Sequence, residues 1–308
     1  MSVRSWKRII TLCVIFTICF LGFEVIKLTH DYKALSESFD QALHNEFIVD
    51  LSEYDHLDQK ELETLFSYLG NLDANESLDY QTKYADLHVD NDFLFTDHSN
   101  EKICYLTFDD GPDTDNTARI LDTLKEYNVK ATFFVIYKDY KEHRELYKRI
   151  VDEGHTIGVH TASHNYKKIY ASVEAYLDDF ERCSRQIEDV TGIKPEIFRF
   201  PGGSVNSYNA HIYQEIIAEM VRRGYTYYDW NASSGDAASS NVSSKAITSN
   251  VLNNGQKLKK KIVLMHDGTG HGATADALPE IIEGLLEQGY KLEPLTKDVE
   301  PVCFGYYQ

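Results

Sequence analysis

The chain has 308 residues, 43% of them hydrophobic and 26% charged, with a formal net charge of -18 at pH 7. That composition is globular rather than disordered, and a surface so acidic repels phosphate backbones, which excludes nucleic acid as a partner. Of five cysteines, Cys13 and Cys19 lie in an apolar stretch while Cys104, Cys183 and Cys303 are widely spaced, so neither a disulfide framework nor a cysteine zinc site is expected.

Residues 1–8 contain Arg4, Lys7 and Arg8. Ile9 to Ile26 then runs IITLCVIFTICFLGFEVI, 18 residues with a single charge at Glu24. That is close to the length a bilayer core requires. The positive flank keeps the N-terminus cytoplasmic and places everything after Lys27 outside the cell. The expectation is a single-pass anchor in the cell membrane. The alternative is a cleaved signal peptide, but the apolar run is not followed by a small-x-small cleavage site. Residues 27–98 read as an extracellular acidic stalk. Residues 33–98 hold 16 acidic and three basic side chains, no proline and one glycine. Apolar residues at helical spacing (Leu35, Phe39, Leu43, Phe47; then Leu62, Leu65, Leu69) predict short helices there.

Residues 99–308 read as one folded domain in which short apolar runs alternate with longer amphipathic ones. The pattern predicts strands at Ile103–Phe108, Ala131–Ile136, Thr156–Val159, Ile197–Phe200, Thr226–Asp229 and Ile262–His266. Helices are predicted at Thr117–Tyr127, Lys141–Glu153, Val173–Thr191, Ala210–Arg223 and Leu278–Gln288, several of them closed by glycine or proline. Repeated strand–helix units imply an α/β fold with a parallel sheet or a (β/α) barrel, whose chemistry gathers at the strand C-termini.

The ionisable residues cluster at those ends. The first strand ends in Asp109-Asp110-Gly111-Pro112, the third in His160 with His164 four residues on, and the last in His266-Asp267. Two imidazoles four apart can meet on one side of a helical turn and, with a carboxylate, suit zinc or another divalent first-row ion. Successive aspartates point in different directions, so one can ligate while the other stays free as a base. Arg199, before Pro201-Gly202-Gly203, can orient a carboxylate bidentately and keep it ionised.

Together these residues resemble the polysaccharide deacetylases that share a NodB-type catalytic domain, carbohydrate esterase family four. Thr107-Phe108-Asp109-Asp110-Gly111-Pro112 is similar to the first family motif, His160-Thr161-Ala162-Ser163-His164 to the second, Arg199-Phe200-Pro201-Gly202-Gly203 to the third and Leu264-Met265-His266 to the fifth. The fourth departs: Asp236 is followed by Ala237 where a Trp is usual, and Trp230 or Tyr228 is the candidate to supply that wall. The third has Gly202 where many members carry Tyr.

The resemblance implies a distorted (β/α) barrel with fewer than eight strands, acting on N-acetylglucosamine polymers, most often peptidoglycan. It implies one divalent metal, zinc or else cobalt, nickel or manganese, held by Asp110, His160 and His164. Asp109 would be the base, oriented by Arg199. His266 would be the acid, held by Asp236. The Gly202 N–H would face the oxyanion beside Pro201, with Leu264 against the acetyl methyl. No protein partner is expected. Chitooligosaccharide, exopolysaccharide and acetyl-xylan remain alternative substrates, and a non-catalytic glycan-binding surface protein is the alternative of another class. An amidohydrolase is disfavoured, since Thr107–Pro112 carries no histidine.

Overall fold

A computed structural model describes residues 78–98, 100–239 and 241–304. The expected cytoplasmic residues 1–8, the apolar run 9–26 and the stalk as far as residue 77 lie outside the described residues. Among the described residues no helix is long and apolar enough to cross a membrane.

The elements follow one another as α1 (Asp79–Lys83), β1 (Ile103–Asp109), α2 (Asn116–Glu126), β2 (Thr132–Val135), α3 (Lys141–Asp152), β3 (Thr156–Val159), α4 (Tyr166–Ile169), α5 (Val173–Thr191), β4 (Ile197–Phe198), α6 (Tyr213–Arg222), β5 (Thr226–Tyr227), β6 (Ala232–Ser233), α7 (Ser244–Asn253), β7 (Lys260–His266), α8 (Gly272–Glu287) and β8 (Lys291–Leu292). Every strand pairing is parallel, in the order β5-β4-β3-β2-β1-β7-β6, with β8 beside the start of β1. The sheet curls into a half-barrel whose ends are β5 and β6. The C-terminal segment crosses that opening: the Asp229 N–H donates to the Val302 carbonyl (2.8 Å), and the Phe304 N–H donates to the Asp229 carboxylate (2.6 Å).

The curl creates two cores. Cys104, Leu106 and Phe108 of β1 face the helices, with Ile120, Leu121 and Leu124 of α2 and the buried face of α5. Ile103 and Tyr105 face inward, with Phe134, Ile197, Tyr228, Ile262 and, from the C-terminal segment, Leu295, Val299 and Val302. Side chains alternate along a strand, so the inward face of β1 continues through Thr107 to Asp109. The barrel interior is therefore apolar at its base and ionisable at its mouth.

Local chemistry explains most boundaries. The Ser172 side chain accepts from the Ala175 N–H to start α5, and Gly192 at φ 73° ends it. Helix α6 starts three residues later than the pattern predicted, because Asn206 and Asn209 hold the preceding turn with side chain–backbone hydrogen bonds. Helix α8 starts six residues earlier than Leu278. Its first turns carry small residues that give no apolar period, and they are fixed instead by contacts such as Thr274 to Asp236. Strands β4 and β5 are only two residues long, β4 because the chain soon turns at Pro201 and the glycines that follow. Helices α4 and α7 were not anticipated; Ser243 caps α7 through the Ala246 N–H, but its polar sequence carries little helical signal.

Residues 78–98, the end of the acidic stretch, pack on α6. Buried Arg223 donates to the carbonyls of Tyr84, Leu87 and Tyr80 and is paired with Glu219 (2.7 Å).

Candidate active site

Parallel pairing sets the site. In the β1–β7 register Asp109 lies opposite His266 and Thr107 opposite Leu264. Asp110, His160 and the turn after β4 cap the same end of the sheet. The ligand atoms of Asp110, His160 and His164 all fall within 4.8 Å of one another. Asp110 Oδ1 lies 3.5 Å from His160 Nε2 and 3.3 Å from His164 Nε2.

This set has the chemistry of a cation site. His160 Nδ1 is 2.9 Å from the Arg199 carbonyl, which has no proton, so Nδ1 carries the hydrogen and Nε2 presents its lone pair. Burial pushes His160 down to about 3, which keeps the ring neutral. Asp110 Oδ1 is buried and has no hydrogen-bond donor. Lone pairs facing one another in this way are satisfied by a divalent ion, so the residues fit the metal that the motif implies.

The two histidines do not share a helical turn, as their spacing suggested. Residues 160–165 form a loop in which Thr161 (φ 70°) and His164 (φ 49°) adopt left-handed backbone, as does Asp110 (φ 75°). Such conformations are strained for non-glycine residues and cluster at functional sites. Asp179, fully buried on α5, holds the loop by accepting the N–H groups of Ala162 (2.7 Å) and Ser163 (2.8 Å).

Arg199 lies fully buried beneath Asp109. Its Nη1 donates to Asp109 Oδ1 (2.9 Å) and Thr107 Oγ1 (2.6 Å), Nε to the Tyr228 carbonyl (2.8 Å), and Nη2 to the Asp229 carbonyl (3.2 Å). The expected bidentate grip is therefore a single contact, because the other donors are held by the Thr107 hydroxyl and two backbone carbonyls. Burial pushes the Asp109 carboxyl up, and the charges of Arg199 and His266 oppose it.

Asp236 grips His266 from the opposite side. Its Oδ1 is 2.8 Å from His266 Nδ1, and its Oδ2 accepts the His266 N–H (2.7 Å) and the Thr274 hydroxyl (2.8 Å). Burial alone would lower His266, but the hydrogen bond and charge of Asp236, aided by Asp109 and Asp110, lift it to about 9. His271 stacks on His266 at 5.0 Å and 25°. It makes a second group of close donors with Asp236 and His266. That carboxylate already accepts from three donors, whereas Asp110 Oδ1 has none, so the group around Asp110 is the better fit for a cation.

Of the remaining sequence candidates, Leu264 lies half-buried one layer below His266 on the inward face of β7. Gly202 is exposed at φ 76°, and the Pro201 carbonyl accepts from the Tyr170 hydroxyl (2.7 Å). Trp230 packs on Phe304 (4.7 Å) and sits 5.8 Å from the Arg199 guanidinium. Tyr228 cannot wall a groove: it is fully buried, with its hydroxyl donating to the Thr296 and Val299 carbonyls.

Residues 96–228 match the sequence profile of the polysaccharide deacetylases. Over 210 residues the chain is 37% identical to a peptidoglycan-N-acetylglucosamine deacetylase of Bacillus cereus, covering 67% of this chain and 74% of that protein. The chain belongs to the polysaccharide deacetylase family. It is accordingly a hydrolase of amide bonds. A putative polysaccharide deacetylase of Bacillus subtilis, YheN, is 33% identical over 233 residues, 75% of this chain and 79% of its own. The crystallised catalytic domain of a peptidoglycan N-acetylglucosamine deacetylase from Eubacterium rectale superimposes with a TM-score of 0.64 at 36% identity, over 70% of this chain and 97% of that one.

In this deacetylase several supporting residues escaped the motif reading. Asp267, fully buried, donates its N–H to the Asp109 carbonyl (3.1 Å) and accepts from the Thr117 hydroxyl (2.5 Å). Burial and the charges of Asp110 and Asp109 push it up to about 7. Gly111 is required beside it, since a Cβ there would lie 2.1 Å from Asp267 Oδ2. Asp229 accepts the Ser204 N–H (2.8 Å) and hydroxyl (2.5 Å), bracing the Gly202 turn from below. Asp179 carried a readable signal: an acid on the apolar face of an amphipathic helix.

Proposed function

We propose that this chain removes N-acetyl groups from the N-acetylglucosamine residues of peptidoglycan, using one divalent ion held by Asp110, His160 and His164. Zinc is the favoured ion, with cobalt, nickel or manganese as substitutes. The observation that carries the reading is the convergence of those three donors beside an unligated carboxylate, Asp109, and an unligated imidazole, His266, in register across β1 and β7.

When bound, the ion supplies Lewis-acid polarisation of the acetyl carbonyl and acidifies water. Asp109 accepts a proton from the attacking water, and Arg199 holds its carboxylate in place. The Gly202 N–H donates to the oxygen on which negative charge develops. With Nδ1 held by Asp236, His266 delivers its proton from Nε2 to the leaving nitrogen. The products are acetate and a free amine on the sugar. Leu264 supplies apolar surface for the acetyl methyl. Every one of these roles has a side chain of the right type, which favours an enzyme over a non-catalytic glycan binder.

Peptidoglycan is favoured over chitin-like or xylan chains by the B. cereus and E. rectale relatives and by the export signal read in residues 9–26. The same signal argues for a membrane-anchored protein with its catalytic part outside the cell. The test is acetate release from intact peptidoglycan, soluble chitooligosaccharides and acetyl-xylan, each with metal-free and zinc-loaded enzyme. Zinc-dependent release from peptidoglycan is expected, and release from acetyl-xylan alone would overturn the substrate assignment.

A further inference from the structure

Tyr166 and Tyr208 have no part in the machinery above, yet they stand on its rim. The Tyr166 ring is edge-on to His164, with centroids 5.2 Å apart at 88°, and lies 4.9 Å from the Tyr208 ring. Tyr166 also fills the space over Gly202. A Cβ on that glycine would lie 2.7 Å from Tyr166 Cε1 and 2.9 Å from its hydroxyl oxygen. The bare backbone of Gly202 thus lets a phenol from a different loop reach the turn that presents the Gly202 N–H. Tyr166 is half-buried, and its hydroxyl makes no hydrogen bond to any described residue.

Tyr208 is 50% exposed, and its position is built rather than loose. Its N–H donates to Asn206 Oδ1 (2.8 Å), while Asn206 Nδ2 donates to the carbonyls of Pro201 (3.3 Å) and Gly203 (3.1 Å). The Asn206 N–H in turn donates to Asn209 Oδ1 (2.8 Å), and Asn209 Nδ2 to the Ser204 carbonyl (3.0 Å). Asn209 is fully buried. A buried amide therefore fixes a loop that leaves half of a large aromatic ring in water, the rest packed beside Tyr166.

We propose that Tyr166 and Tyr208 form a wall for the sugar next to the one being deacetylated, on the His164 side of the site. A pyranose has apolar C–H faces and a rim of hydroxyls. The Tyr208 ring suits the first and the Tyr166 hydroxyl the second, since tyrosine offers an apolar body with a polar tip. The proposal rests on the glycan-deacetylase reading and adds a preference for polymer over monomer.

Tyr208→Ala should raise KM for chitotetraose about fivefold, the scale of one aromatic contact, with kcat nearly unchanged. Tyr166→Phe keeps the ring and should raise KM about threefold through the lost hydrogen bond. Cleavage of 4-nitrophenyl acetate, too small to reach the wall, should not change in Tyr208→Ala, which also shows that the variant folds. Calorimetric titration of chitotetraose into zinc-loaded Asp109→Asn protein, with and without Tyr208→Ala, should show the same loss of affinity without turnover. Unchanged KM and affinity in both tyrosine variants, with wild-type acetate release intact, would overturn the wall and leave the deacetylase reading standing. No acetate release from any glycan by the wild type would overturn that reading and the wall with it.

Discussion

Asp109 and His266 face each other as register partners across two parallel strands, and each is backed by a group of opposite charge. Arg199 lies behind the carboxylate and Asp236 behind the imidazole. Asp236 lifts His266, whereas burial pushes the Asp109 carboxyl up against the opposing charges of Arg199 and His266.

Asp109→Asn should fold, retain its metal and lose at least about a hundredfold in kcat, the usual share of a positioned base. Acetate release and metal content measured on the same preparation check this. Substantial activity in the variant would move the base elsewhere.

The alkaline limb of the rate profile should report His266. Its value is lifted to about 9, so the acid is lost as pH rises through that region. Asp236→Asn removes the charge that lifts it, and the limb should move down by about one pH unit or more. Fold stability carries the same sign. Protonated His266 contributes fully below about pH 6.5, and that contribution disappears as pH rises through about 9. Denaturant midpoints of the two proteins between pH 6 and 10 should therefore converge toward the alkaline end.

A strong chelator should abolish turnover, and added zinc or cobalt should restore it. His160→Ala should bind metal too weakly to be rescued at the same concentration. Full activity of a verified metal-free preparation would sink the assignment of Asp110, His160 and His164.

Asp179→Ala should loosen the loop that carries His160 and His164. Two N–H groups lose their acceptor, at a cost of about 1–3 kcal/mol in stability. Metal affinity should fall about 10–100-fold, as for other groups that orient ligands from behind. Competition with a fluorescent zinc chelator reads the second effect, and urea unfolding the first.

Gly111→Ala places a methyl group against the Asp267 carboxylate. Overpacking of that kind costs about 1–3 kcal/mol, and relief requires the Asp109-Asp110 turn to move. A lowered Tm together with weakened metal binding is expected; a lowered Tm alone would mean that Asp267 yields instead.

Much of this arrangement was legible in the residues themselves. Strand β3 and helix α5 fall where the apolar pattern and the stop at Gly192 put them. Asp110, His160 and His164 stand out as candidate ligands by residue type and by the motifs they resemble, and the fold brings their donor atoms together. What supports those residues was harder to read. Asp229 and Asp267 stand at strand ends, where nothing in the sequence separates a buried supporting acid from a solvated one, and although Asp179 is marked by its apolar helix face, its partners on the 160–165 loop come to it only through packing. The loop around Thr161 and His164 misled for a related reason, since a four-residue spacing suits a helical turn and a left-handed loop equally well. Helix α7 was missed because its serines, threonine and asparagines favour caps and turns when taken alone.

Phe304 donates its N–H to Asp229, the same carboxylate that steadies Ser204 under the Gly202 turn. Phe304 thus acts as a buttress for the loop that carries Gly202. Removing that bond, by truncating the chain just after Val302, would slacken the loop without altering any candidate site residue. Such damage would show as slow turnover in a protein whose metal content and helical circular dichroism look intact.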